Sequence, residues 1–288
     1  MHYALFRLRT RQNGSEMLRS SSLLAIFGLL VLAQPGFGQG LLFSLPPDGS
    51  WIRYEGTVKQ VDQRPDPETG QLKTAAELNW IRHVQIQSVG QEMAEFRGTN
   101  QPCRWVEIMV RTGVQSEEGL DDGLIGRRVY KVLVPESLID GKGRDPKGVP
   151  VDMLPIIKGF KQHGQTEPKP IRAKAIRVYP TVSLLAHYAD PKVELGSGNP
   201  GAPMKAVTGR QFSGTSTIER RSSRIKNNAK WWVSQEVPFG LVSWQVTQTR
   251  ESKNITDPRS SFAQISLIEI NMAAAAEGND AEALIAEK

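Results

Sequence analysis

Apolar and polar residues alternate with a period of two through most of the chain beyond residue 50. This constrains the fold more than any other feature, because such segments are stable only as strands that bury one face. Ile52, Tyr54 and Val58 share one face of the first segment, and Leu78, Trp80, Val84 and Ile86 share one face of the second. Val106, Ile108 and Val110 repeat the pattern, as do Tyr130, Val132 and Val134. Further strands are expected over 171–179, 210–220, 230–236, 241–250 and 262–271. Turn chemistry separates them: Arg64-Pro-Asp-Pro-Glu-Thr-Gly70 after the first strand, 141–148 after the fourth and 196–203 later. The expected class is mainly β, a curved antiparallel sheet or incomplete β-barrel with a few short helices.

Residues 17–38, MLRSSSLLAIFGLLVLAQPGFG, set the compartment. Arg19 supplies a positive start, Leu23 to Ala33 is unbroken apolar sequence, and Gly36-Phe37-Gly38 offers the small residues that a signal peptidase accepts. The run falls well short of the ~20 apolar residues that span a bilayer. It is read as a cleaved signal over 1–38, with translation starting at Met1 or Met17. The protein is then exported, periplasmic or extracellular, and not an integral membrane protein. Formal charge is +6, and setting aside residues 1–38 removes four arginines and one glutamate to leave +3, too mild to imply a polyanion partner. With Cys103 the only cysteine, no intrachain disulfide can form, so a hydrophobic core must hold the fold.

Short helical pieces are expected between strands in the middle of the chain. Residues 135–139 suit one turn, 152–160 carries Met153, Leu154, Ile156, Ile157 and Phe160, and 181–188 places Leu184 and Tyr188 at i, i+4. From Ala273 the sequence AAAAEGNDAEALIAEK favours helix locally but offers little to pack, so 273–288 is expected as a flexible tail after a single β-rich domain over 39–272.

Motifs for catalysis are weak. Gly196-Ser-Gly198-Asn-Pro-Gly201 matches G-x-G-x-x-G, but Pro200 and Pro203 forbid the helix that would aim amides at a pyrophosphate. His83, His163 and His187 form no helix-face pair, so neither metal nor cofactor is expected. There is no G-x-S-x-G elbow, and Cys103 shares a strand face with Trp105 and Met109, where an apolar setting raises a thiol's pKa and makes it inert. The carboxylates Glu117, Glu118, Asp121 and Asp122 read as loop charges, so no enzyme is expected. Arg220, Arg221, Arg224, Lys226 and Lys230 cluster before Trp231 and Trp232. Such a cluster can grip a polyanion, and export removes nucleic acid from the candidates.

The clearest hairpin is Trp231-Trp232-Val-Ser-Gln-Glu-Val-Pro-Phe-Gly-Leu-Val-Ser-Trp244-Gln-Val, turning at Val237-Pro238-Phe239-Gly240. This hairpin, with the strand Tyr130-Lys-Val-Leu-Val-Pro-Glu136, resembles segments of the LolA/LolB-like superfamily of envelope carriers and of similar exported domains. The resemblance implies a strongly curved sheet with short helices plugging an apolar concavity that holds acyl chains. The expected function is accordingly a non-enzymatic exported protein that binds an acyl chain or lipid. Strand residues Tyr54, Trp80 and Trp244, with Ile157, Phe160 and Leu184 from the helical pieces, are expected to line the site. The alternative is a structural or surface-binding module that holds an anionic envelope glycan through the basic hairpin tip.

Overall fold

A computed structural model describes residues 41–66, 68–139, 154–173, 175–176, 182–186, 188, 191–198 and 204–286. The expected signal over 1–38 lies outside them, as does His187. The strands are β1 (Trp51–Pro65), β2 (Leu72–Phe96), β3 (Thr99–Ser116), β4 (Gly119–Asp121) and β5 (Arg127–Pro135). They continue with β6 (Leu154–Pro155), β7 (Lys158–His163), β8 (Lys169–Pro170), β9 (Ala175–Ile176), β10 (Lys192–Gly198), β11 (Val207–Glu219), β12 (Ser223–Val233), β13 (Leu241–Ser252) and β14 (Ala263–Gly278). Twelve of them form one antiparallel sheet in the order β10-β11-β12-β13-β14-β1-β2-β3-β5-β7-β8, with β4 on β3, and it is not closed into a barrel. The terminal strand β14 pairs with β1 and so joins the two halves of the meander.

One face of this sheet, here the inner face, carries the apolar positions that the alternation marked. Register places Trp231, Trp244 and Met272 in one cross-strand row, and Ala229, Val246, Ile270, Val58 and Trp80 in the next. All but the half-buried Trp80 are buried. Three stretches outside the strands pack on this face: Leu41 and Leu42, Val182 to Ala186 with Tyr188, and the β12–β13 turn with Val237 and Phe239. At that turn Gly240 N donates to Val237 O (3.1 Å), with Phe239 at φ +60°. Pro238 and Gly240 therefore act as the sequence predicts.

Three expectations need correction. Residues 152–160 do not provide a plugging helix: Leu154–Pro155 and Lys158–His163 are strands. Within 181–188, Ser183 to Ala186 run as irregular chain, with Leu184 at φ +56°. Among the described helices the only ones with assigned spans are 3-10 turns, at Glu136–Leu138, where one turn was expected, and at Arg259–Ser261. The tail is not frayed from Ala273. The apolar parity of Ile268, Ile270 and Met272 continues into Ala274, and β14 runs to Gly278 against β1, with a bulge at Ala275. Strand pairing outweighs alanine's strong local preference for helix.

Beyond β14 the chain crosses to the outer face as a strap. Trp51 Nε1 donates to Asp280 Oδ1 (2.7 Å) and Ala281 N to Gly49 O (2.9 Å). The fully buried Glu107 then accepts from Gln87 Nε2 (2.8 Å), Leu284 N (2.8 Å) and Ile285 N (3.0 Å). Lys131, opposite Glu107 in register, donates to Ile285 O (2.9 Å). A carboxylate buried in this way stays satisfied because three N–H groups converge on it.

Candidate functional site

The segment 182–188 is the best candidate for a functional element, because side chains rather than a strand ladder hold its backbone. Val182 O accepts from Arg82 Nη1 of β2 (3.0 Å), Ser183 O from Trp244 Nε1 of β13 (3.1 Å), and Leu184 O from Asn227 Nδ2 of β12 (2.7 Å). Asn227 Oδ1 accepts from the Tyr188 hydroxyl (2.6 Å), and that hydroxyl in turn accepts from Ala186 N (3.2 Å). Leu185 N is satisfied by Ser183 Oγ (3.1 Å).

These bonds draw together strands β12 and β2, four positions apart in the sheet, onto one short segment.

Apolar contacts complete the seat. Tyr188 stacks on Trp231 (5.0 Å, 25°), which stacks on Phe212 (5.5 Å, 14°). The Tyr188 ring lies against Gly214, where an added Cβ would be 2.7 Å from Tyr188 Cγ; only glycine fits there. Tyr54 meets Trp244 edge-on (5.0 Å, 70°) and donates its hydroxyl to Leu241 O (2.8 Å). Burial pushes the hydroxyl pKa of Tyr54, and likewise that of Tyr188, far up, so both remain neutral donors.

The six expected site residues divide between the two faces. Trp244 is fully buried under the segment and Tyr54 fully buried beside it, and Trp80 and Leu184 are half-buried against the same core. Ile157 and Phe160 instead pack on the outer face with Cys103, Trp105 and Leu133. In β7, Phe160 lies opposite Lys131, and register therefore turns it outward. Sequence reasoning missed Arg82, Asn227 and Tyr188 as partners, because their pairing spans 39 to 100 residues.

At the wing formed by β2, β3, β5, β7 and β8 the inner face is basic. Arg82 is tied to Thr112 Oγ1 through Nε (3.0 Å), and its pKa is pushed down to about 10 by burial and by the neighbouring Arg128. Arg128 lies opposite His163, and Lys161 opposite both Tyr130 and Lys169. Burial, then Arg128, Lys161 and Lys169, hold the His163 pKa below the ordinary histidine range.

Other candidates are structural. Among the described residues no group of three His, Cys, Asp or Glu could hold a metal. Cys103 is buried, and burial raises its thiol pKa. Asp122 is paired with Arg111 (2.8 Å). At the basic hairpin tip Arg224 pairs with Glu251 and Glu219 and lies over the Phe262 ring, while Lys226 pairs with Glu251 (2.8 Å). The two glutamates offset much of the charge that the sequence displays there. A shallow trough of about 660 Å³ crosses β1, β2, β13 and β14, lined by polar Lys59, Asn79 and Gln245 and by apolar Trp80, Val246 and Ile270, among others. No helix among the described residues is long and apolar enough to cross a membrane. No protein-family model and no curated protein matches the chain.

Proposed function

We propose that this is an exported, non-enzymatic protein that binds an amphiphile, its acyl chain lying on the inner face where the segment 182–188 now sits. The observation that carries this reading is the set of three consecutive carbonyls, of residues 182 to 184, each held by a side chain from a different strand. A cover fixed in this way lifts without breaking the sheet, whose own ladder is separate. Leu184, at φ +56°, adds about 1–3 kcal/mol of strain that lifting releases. Beneath the cover lie Tyr54, Trp231 and Trp244, with the half-buried Trp80 at the margin, an aromatic floor suited to an acyl chain. The segment's own Val182, Leu185 and Tyr188 fill that floor as an alkyl chain would.

Native mass spectrometry of protein isolated from its own envelope tests the reading. One bound acyl amphiphile per chain, displaced by added dodecanol, is the expected spectrum. Bare protein that also fails to take up dodecanol would overturn it.

A further inference from the structure

The basic wing lies at the Arg82 end of the same cover. On the inner face of this wing, register places Trp80, Arg82, Thr112, Val114, Arg128, Tyr130, Lys161, His163 and Lys169. No carboxylate stands among these positions, and no ion pair ties Arg82, Arg128, Lys161 or Lys169 to a described acid. On the outer face of the same strands acids stand beside the cations: Lys158 pairs with Glu92 (3.1 Å), Arg111 with Asp122 (2.8 Å), and Lys131 stands opposite Glu107. The inner face has cations and, among the described residues at these positions, no acid.

Protection of the sheet edge accounts for Lys169 and Pro170 on the outermost strand β8. It does not account for Arg82, four strands further in and partly buried beside a second arginine. Among the described residues that guanidinium has no counter-charge, and its acceptors, a carbonyl and a hydroxyl, are neutral. Arg82 also holds the first carbonyl of the cover, and lifting the cover frees its Nη1 toward the floor. A planar fork with donors to spare is suited to carboxylate or phosphate oxygens.

We propose that Arg82, with Arg128, Lys161 and Lys169, receives the anionic head group of the bound amphiphile, a carboxylate or phosphate, while the chain runs from Trp80 toward Trp244. This inference rests on the amphiphile reading and specifies the ligand's class. The head group takes the place of Val182 O on Arg82, so ligand and cover compete for the same donor.

Isothermal titration of the full chain with dodecanoate, dodecyl phosphate, dodecanol and inorganic phosphate tests it. Both charged amphiphiles are expected to bind about tenfold tighter than dodecanol, the sum of several exposed charge contacts, and the preference shrinks as salt is raised. Inorganic phosphate is expected to give no heat at concentrations where dodecyl phosphate saturates. In the triple variant R128Q/K161Q/K169Q, which retains Arg82, the preference for the charged ligands shrinks to the part that Arg82 alone supplies, while dodecanol affinity is unchanged. Equal affinities for acid and alcohol in the unaltered chain, or a preference undiminished in the triple variant, overturn the head-group assignment and leave the acyl-chain reading standing. Inorganic phosphate binding as tightly as dodecyl phosphate also overturns it, because the site would then serve a free anion. If neither dodecanol nor the acids bind, the acyl-chain reading fails, and the head-group assignment with it.

Discussion

Replacing Asn227 with alanine removes two ties to the cover at once. Its side chain donates to Leu184 O and accepts from the Tyr188 hydroxyl, and it is itself buried. Asn227→Ala removes the donor to Leu184 O and the acceptor of the Tyr188 O–H, which keeps its bond from Ala186 N; each lost bond costs about 1–3 kcal/mol. About 1.5 kcal/mol apiece gives about 3 kcal/mol, all of it lost from the closed state and none from the lifted one. With every 1.4 kcal/mol worth tenfold, amide exchange at Leu185 and Ala186 should quicken about 100-fold, while β1, β2 and β14 keep their protection. Tyr188→Phe removes both the bond to Asn227 Oδ1 and the acceptor of Ala186 N, so exchange at Ala186 should quicken at least as much as in Asn227→Ala. Hydrogen exchange followed by mass spectrometry or NMR reads both. An Asn227→Ala shift below about 0.5 kcal/mol, the range of neutral surface changes, would refute the claim that these bonds hold the cover. So would a loss of protection spread evenly over the sheet.

Gly214→Ala should also loosen the cover, because its Cβ would meet the Tyr188 ring at 2.7 Å; thermal melting should fall and exchange at 185 and 186 should rise. Glu107→Ala removes the acceptor of three N–H groups and should cost about 3 kcal/mol in denaturant unfolding, with the amides of Leu284 and Ile285 losing protection. Burial raises the pKa of Glu251, but hydrogen bonds from Arg224 and Lys226 outweigh it and leave the carboxyl below the ordinary glutamate value. Its contribution is therefore present above the unfolded pKa of about 4.3 and is lost as pH falls through the lower folded value. Glu251→Gln should flatten the acid limb of a stability-against-pH curve, and an unchanged limb would count against the pairing.

The strand parity was legible wherever one face is buried and the other wet. Val242, Trp244 and Val246 on β13 are the clearest case, each at most 1% exposed. Legibility failed where a segment buries both faces. Ile156 joins the inner core while Ile157 and Phe160 join the outer cluster, and this dense apolar spacing imitates a helix. The alanines of β14 misled for the opposite reason: a small side chain suits a tight bulge beside Tyr54, yet its local preference is helical. The cover's seat was illegible because each of its carbonyls is held from a distant strand, which no local pattern encodes. Strand parity alone places Tyr54, Trp244 and Trp80, three of the six expected residues, on the inner face. Leu184 was placed by a helical spacing that the chain does not adopt, yet it still packs against that core.

The central claim is that cover and acyl chain compete for one floor, and dodecanol affinity in Asn227→Ala against the unaltered chain tests it most directly. When binding requires a lifted cover, the apparent dissociation constant scales inversely with the lifted fraction. A cover weakened by about 3 kcal/mol should then tighten binding by up to about 100-fold. Affinity that is unchanged or weaker in a variant whose sheet remains folded would contradict the account.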